Sequence, residues 1–81
     1  METRVAVISI IVENEEAVAG VNSLLHQYAE YIIGRLGIPY RTKKVNIICV
    51  AMDAPNDAIN ALTGALGRLR GITAKAAYSR A

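Results

Sequence analysis

The sequence contains one cysteine and one histidine, so it has neither a disulfide framework nor the Cys/His cluster that builds a structural zinc site. It has no tryptophan or phenylalanine, and its four tyrosines, at 28, 31, 40 and 78, lie outside its two most apolar segments. The aromatic platform on which sheet-based RNA readers stack bases is therefore missing, and no RNA partner is expected. Nine Lys and Arg stand against seven Asp and Glu, a net charge of +2 that implies no nucleic-acid partner by itself. The apolar run near the start is broken by Ser9 and ends at Glu13, well short of the ~20 residues of a membrane span. No signal peptide and no membrane partner are read, and a lone thiol without an export signal points to the reducing cytoplasm.

Also missing are a GxGxxG or P-loop glycine pattern and a Ser/His/Asp constellation, so no catalytic residue, metal ligand set or cofactor is assigned. No Pro/Gly/Ser-rich linker or charged low-complexity tract divides the chain, which reads as one domain over residues 1–81.

What the sequence has in excess is apolar surface: 53% of its 81 residues are hydrophobic. A chain this short buries only a little over ~60% of its unfolded surface. With the usual staples of small folds absent, self-association is the expected way to complete burial.

Arg4 to Val12 is rich in Val and Ile and too short for a typical helix, so it reads as a strand. Asn14 is an N-cap candidate followed by Glu15 and Glu16, whose carboxylates favour the positive end of a helix dipole. Val18, Val21, Leu25 and Tyr28 then recur at helical spacing. Tyr31 to Tyr40, interrupted by Gly34, Gly37 and Pro39, reads as an irregular edge strand, joined by the basic turn Arg41 to Lys44 to a strand at Val45 to Met52. Asp53 to Asn56 is a stop-and-start signal in which Pro suits the first helical turn and Asp or Asn can cap it. The second helix presents Ala58, Ile59, Leu62, Leu66 and Leu69, with Arg68 and Arg70 expected in its last turn and Gly71 ending it. Ile72 to Tyr78 makes the last strand.

The order β-α-β-β-α-β with right-handed crossovers is the α+β, ferredoxin-like sandwich: a four-stranded antiparallel sheet with both helices on one face. Its first and third strands are central, and here these are the two most apolar segments. The first places Val5, Val7, Ser9 and Ile11 on one face and Ala6, Ile8, Ile10 and Val12 on the other. An antiparallel sheet that faces water should instead alternate with polar residues. A second copy of the chain is the simplest cover for that face, giving a dimer or tetramer; the plainer alternative is that Ala and Ser keep the face small.

Several side chains are candidate sites. His26 is conceivable as a metal ligand or base, but an i,i+4 pairing with Glu30 accounts for it more simply. Cys49, mid-strand among apolar neighbours, reads as a small core residue. Glu13, Glu15 and Glu16 fit capping and dipole effects, with a cationic or amide-bearing ligand as the alternative. Asn60, Gly64 and Gly67 lie opposite the apolar stripe of the second helix, where each glycine costs ~1 kcal/mol relative to Ala; close approach of a partner would explain them. Arg41, Lys43 and Lys44 read as a solvated edge that discourages strand-to-strand aggregation.

The segments YIIGRLGIPYR (Tyr31 to Arg41), DAPNDAINALTGALGRLRGI (Asp53 to Ile72), KAAYS (Lys75 to Ser79) and the opening RVAVISIIVENEEAV resemble the small iron-only hydrogenase system regulator family. That family is similar to ACT-like regulatory domains and to the C-terminal sensor domain of nickel-responsive repressors, both ferredoxin-like and oligomeric. The resemblance implies a non-enzymatic, ACT-like homo-oligomer that senses a small-molecule effector at a subunit interface and acts through a partner protein on hydrogenase expression or maturation. Glu13 and Asn14, in the loop between first strand and first helix, are the implied ligand-binding residues. The nickel ligand set is not reproduced by His26 and Cys49, so no metal is implied. The first strand begins about Arg4 and leaves no room for the repressors' ribbon-helix-helix segment, so direct DNA binding is not expected. The alternatives are a non-sensing adaptor that docks through the Gly64 and Gly67 face, and a small dimeric enzyme with a pocket between sheets.

Overall fold

The computed structural model describes residues 2–80. Its elements are β1 (Arg4–Val12), a single 3-10 turn (Glu15–Ala17) leading into α1 (Val18–Gln27), a second 3-10 turn (Ala29–Tyr31), β2 (Ile32–Tyr40), β3 (Val45–Ala54), α2 (Asn56–Gly67) and β4 (Ile72–Tyr78). The four strands form one antiparallel sheet in the order β2-β3-β1-β4, with the two apolar strands at the centre as expected.

Burial alternates strictly along β1, with Ala6, Ile8, Ile10 and Val12 buried and Val5, Val7, Ser9 and Ile11 exposed. The buried set joins Ile48, Val50 and Met52 of β3 and meets Val21 and Leu25 of α1 and Ile59, Leu62 and Leu66 of α2, so both helices cover the same face. Ile8, Ile10, Ile59, Leu62 and Leu66 are all 0% exposed, and burial of each such side chain contributes roughly 1.5–3 kcal/mol. No buried side-chain polar atom lacks a partner among the described residues.

Asn14 caps the first helical segment, its Oδ1 accepting from the Glu16 N–H at 3.2 Å, and Glu15 and Glu16 occupy the acidic first turn. The chain passes through the 3-10 turn before regular α geometry begins at Val18. At the other end α1 stops at Gln27: Tyr28 leaves the helical region at φ −108°, ψ 15°, and Glu30 falls in the second 3-10 turn. The i,i+4 relation of His26 to Glu30 is broken there, and no hydrogen bond or ion pair joins them.

The second helix departs from expectation at both ends. Pro55 holds the N-cap position with no side-chain cap, its carbonyl accepting from the Ala58 and Ile59 N–H groups at 2.9 and 3.2 Å. Asp53 and Ala54 instead extend β3 by two residues beyond Met52, paired with Val5 and Arg4. The helix ends at Gly67 rather than at Gly71, so Arg68 is its C-cap and Arg70 lies beyond its last turn. The chain tightens there: the Arg68 N–H reaches the Ala65 carbonyl and the Leu69 N–H the Leu66 carbonyl, both three-residue closures. A low helix propensity at Gly64 and Gly67 makes this an inexpensive place to stop. Leu69 still packs against the core.

The edge strand β2 carries the expected irregularity, a register shift between Ile32 and Gly34 that leaves Ile33 unpaired. The β2–β3 hairpin closes through Arg41 to Lys44, where the Lys44 N–H donates to the Arg41 carbonyl at 3.2 Å. Lys44 sits in the left-handed region at φ 56°.

Candidate functional site

Two surfaces stand out, and the ladder of strand pairs places them. On the face away from the helices, paired residues line up across the sheet in rows: Ile38, Ile47, Ile11 and Thr73; Leu36, Cys49, Ser9 and Lys75; Gly34, Ala51, Val7 and Ala77. Nothing among the described residues covers this face. Val5 and Val7 are 41% exposed, Ile38 46% and Leu36 57%, against 0–1% for the even-numbered residues Ala6 to Val12 beneath the helices. Contiguous exposed apolar surface of this kind is the type that interaction faces present. Val5, Val7, Ser9 and Ile11, the sequence-derived interface residues of β1, all lie on it, and half-buried Cys49 is paired directly with Ser9 near its centre.

The second surface is a cleft of about 720 Å³ at the end of the sheet. Val12 pairs with Asn46 at the end of the β1–β3 ladder, which brings the loop after β1 alongside the β2–β3 hairpin. Glu13 and Glu15 come from the loop side; Pro39, Tyr40, Arg41, Lys44, Val45 and Asn46 come from the hairpin. The cleft thus sets two carboxylates against two cations, with Tyr40, Pro39 and Val45 as its less polar walls. An arrangement of this kind matches a dipolar small molecule that presents a cationic group to one wall and an anionic group to the other.

Glu13 lines this cleft, and its backbone N–H is held by the Gly71 carbonyl at 2.8 Å. Asn14 does not line it: its side chain caps the first helical segment and lies against Gly71. Arg41, Lys44 and Tyr40 join the site although the sequence suggested only a solvated turn. The signal that could have found them was topological, because a third strand antiparallel to the first must start where the first ends.

On α2, the Asn60 Oδ1 accepts from the Tyr78 hydroxyl, tying the helix to β4. The Arg4 guanidinium lies 4.9 Å from the centre of the Tyr78 ring, and its Nε–H donates to the Ser79 carbonyl at 2.9 Å. Beyond its chain neighbours and the backbone of α2 itself, no described residue lies within 4 Å of a Cβ placed on Gly67, and only the Arg68 Nη1, at 3.6 Å, approaches one on Gly64. That outer strip of α2 is therefore bare. No group of three or more His, Cys, Asp or Glu side chains able to hold a metal occurs among the described residues, and none of the described helices is long and apolar enough to cross a membrane.

The model of the TM1266-like family, provisionally described as an iron-only hydrogenase system regulator, matches residues 4–76. The solved structure of the uncharacterized protein TM1266 from Thermotoga maritima superposes with a TM-score of 0.94 at 36% sequence identity, over 98% of this chain and 100% of that one. A formyltetrahydrofolate deformylase from Pseudomonas putida KT2440 superposes with a TM-score of 0.65 at 13% identity, over 90% of this chain. This chain spans 28% of that enzyme's length, and the likeness concerns the fold alone. No curated protein matches the sequence.

Proposed function

Because the chain belongs to the TM1266-like family of iron-only hydrogenase system regulators, we propose that it is a non-catalytic regulatory module of that system which works as a homo-oligomer and senses a small molecule. The observation that carries this reading is the uncovered apolar face of β1, β3 and β2. A second copy laid on that face removes Val5, Val7, Ile11, Leu36 and Ile38 from water, each with a gain of about 25 cal/mol per Å² of apolar surface buried. Cys49 and Ser9, near the middle of the face, meet the partner at the interface.

The effector sits in the cleft between Glu13 and Glu15 on one side and Arg41 and Lys44 on the other. A dipolar ligand satisfies both walls, and occupancy couples the loop after β1 to the hairpin, so that binding changes how the module presents itself to a cytoplasmic protein partner. Through that partner the module adjusts hydrogenase expression or maturation, without contacting DNA itself.

Light scattering at micromolar concentration tests the assembly: a dimer or tetramer is expected, and a monomer would sink it. A thermal-shift panel of amino acids, nucleotides and metabolites with both charges tests sensing, since a ligand at one hundred times its Kd adds ~2.7 kcal/mol to stability. Stabilisation that disappears in Glu13→Gln and in Arg41→Gln is the expected result.

A silent panel with a stable oligomer favours a second reading, a non-sensing adaptor. The observation behind it is the bare strip of α2 around Gly64 and Gly67, where another backbone can approach closely.

A further inference from the structure

At the opposite end of α1 from the cleft, a hollow of about 330 Å³ opens between α1, the following 3-10 turn and β2. Its apolar wall is Leu25, Ala29 and Ile32, and its polar groups are Asn22, His26 and Arg35; no carboxylate lines it. Arg35 pairs with buried Val50, so it leaves β2 on the helix side of the sheet. Its Nη2 donates to the Asn22 Oδ1 at 3.1 Å, which fixes the guanidinium at the rim.

That bond uses one of five guanidinium N–H donors and occupies the acceptor of Asn22. The remaining Arg35 donors and the Asn22 amide group have no other protein partner among the described residues, and His26, released from Glu30 by the end of α1, has none either. Three unspent donor groups therefore surround one hollow.

We propose that this hollow is a second binding site, for a compact oxyanion: phosphate, sulfate or the terminal phosphoryl group of a small metabolite. The planar guanidinium fork matches two oxygens of such an anion, and charge-assisted bonds of this type are roughly twice as strong as neutral ones. Buried Leu25 and half-buried Ile32, with Ala29 beside them, give the anion an apolar floor, while its outer side stays open to water. The C-terminal end of α1 opposes the anion with a partial charge of about −0.5, less than the full positive charge of Arg35. The acidic first turn at Glu15 and Glu16 lies about 9 Å along the axis before Asn22, roughly one Debye length at physiological salt, so its repulsion is largely screened. The volume lies at the small end of the ~300–1,000 Å³ of ligand pockets, suiting an anion rather than a large cofactor. This site stands independently of the dipolar cleft and of the oligomer.

The test is an NMR titration of the full chain with sodium phosphate, sodium sulfate, glycerol 3-phosphate and sodium chloride, at matched ionic strength. Saturable shifts are expected at the Asn22 side-chain amide, the His26 ring and the Arg35 Nε–H with the three oxyanions and not with chloride. Tighter binding of glycerol 3-phosphate than of phosphate identifies a phosphoryl group as the ligand, and equal binding identifies the free anion. Arg35→Gln should weaken binding roughly tenfold or more, Arg35→Lys should be intermediate, and Arg70→Gln should bind as the parent does. Absence of saturation, the same shifts with chloride, or undiminished binding by a folded Arg35→Gln protein would overturn the proposal; should Arg35→Gln not fold, Arg35→Lys decides in its place.

Discussion

Gly71 and Asn14 touch so closely that a Cβ added to Gly71 would lie 2.5 Å from the Cβ of Asn14 and 3.1 Å from its backbone nitrogen. Gly71 also holds a left-handed φ of 78°, and its carbonyl accepts the neighbouring Glu13 N–H at 2.8 Å. One residue between α2 and β4 thereby fixes the loop that carries Glu13 into the cleft.

Gly71→Ala is consequently expected to destabilise the fold by about 2 kcal/mol or more, combining the left-handed penalty of a side chain with the clash. Urea denaturation measures it. Adding Asn14→Gly should recover part of the loss, since it removes the Cβ on the other side while leaving the backbone contact in place. Asn14→Ala alone should cost ~1 kcal/mol through loss of the cap.

Lys44→Gly separates backbone from side chain in the hairpin. Glycine accepts φ 56° without the ~1–2 kcal/mol that a side chain costs there, so the variant should be more stable to urea. It should at the same time lose affinity for a dipolar ligand of the cleft. A variant with lowered stability would show that the Lys44 side chain contributes more to the fold than its conformation costs.

Leu36→Glu and Val7→Glu place a charge on the open face, where these residues are 57% and 41% exposed. Both should fold with nearly unchanged circular dichroism and lower the mass measured by light scattering. Ile10→Glu puts the same carboxylate at a position that is 0% exposed and should abolish folding. If Leu36→Glu and Val7→Glu keep the parental mass, the copies associate through some other surface.

Gly64→Ala should stabilise by ~0.5–1 kcal/mol, because the new methyl meets only the end of the flexible Arg68 side chain at 3.6 Å. A stabilised protein that no longer binds its protein partner would favour the adaptor reading.

The fold is most legible in the sequence where one segment carries the whole signal. Arg4 to Val12 is bounded by polar residues and too short for a helix, and it is β1 to the residue. The topology followed from element order, because the crossover rule leaves few arrangements for two β-α-β units. The end of α2 was less legible: Leu69 keeps helical spacing and does pack on the core, yet it does so from a tight turn after Gly67. Spacing records which way a side chain must face, not the hydrogen bonds that carry it there. The cleft was half legible. Glu13 and Glu15 are near neighbours in sequence, whereas Arg41 and Lys44 reach them only through the pairing of Val12 with Asn46.

The two apolar faces of β1 bear on how the sheet finds its alignment. A one-residue slip normally drives polar side chains into the interior, and that penalty sets strand register. Here a slip would exchange Ala6, Ile8, Ile10 and Val12 for Val5, Val7, Ser9 and Ile11, three of them as apolar as the set they replace. Most of the usual penalty is gone. What remains is the Ser9 hydroxyl, which an inverted strand would bury at a cost of ~1–3 kcal/mol if it met no acceptor. In the single chain, before any second copy covers the open face, the Ser9 hydroxyl is thus the one polar group in the middle of β1 that favours the observed facing of the strand.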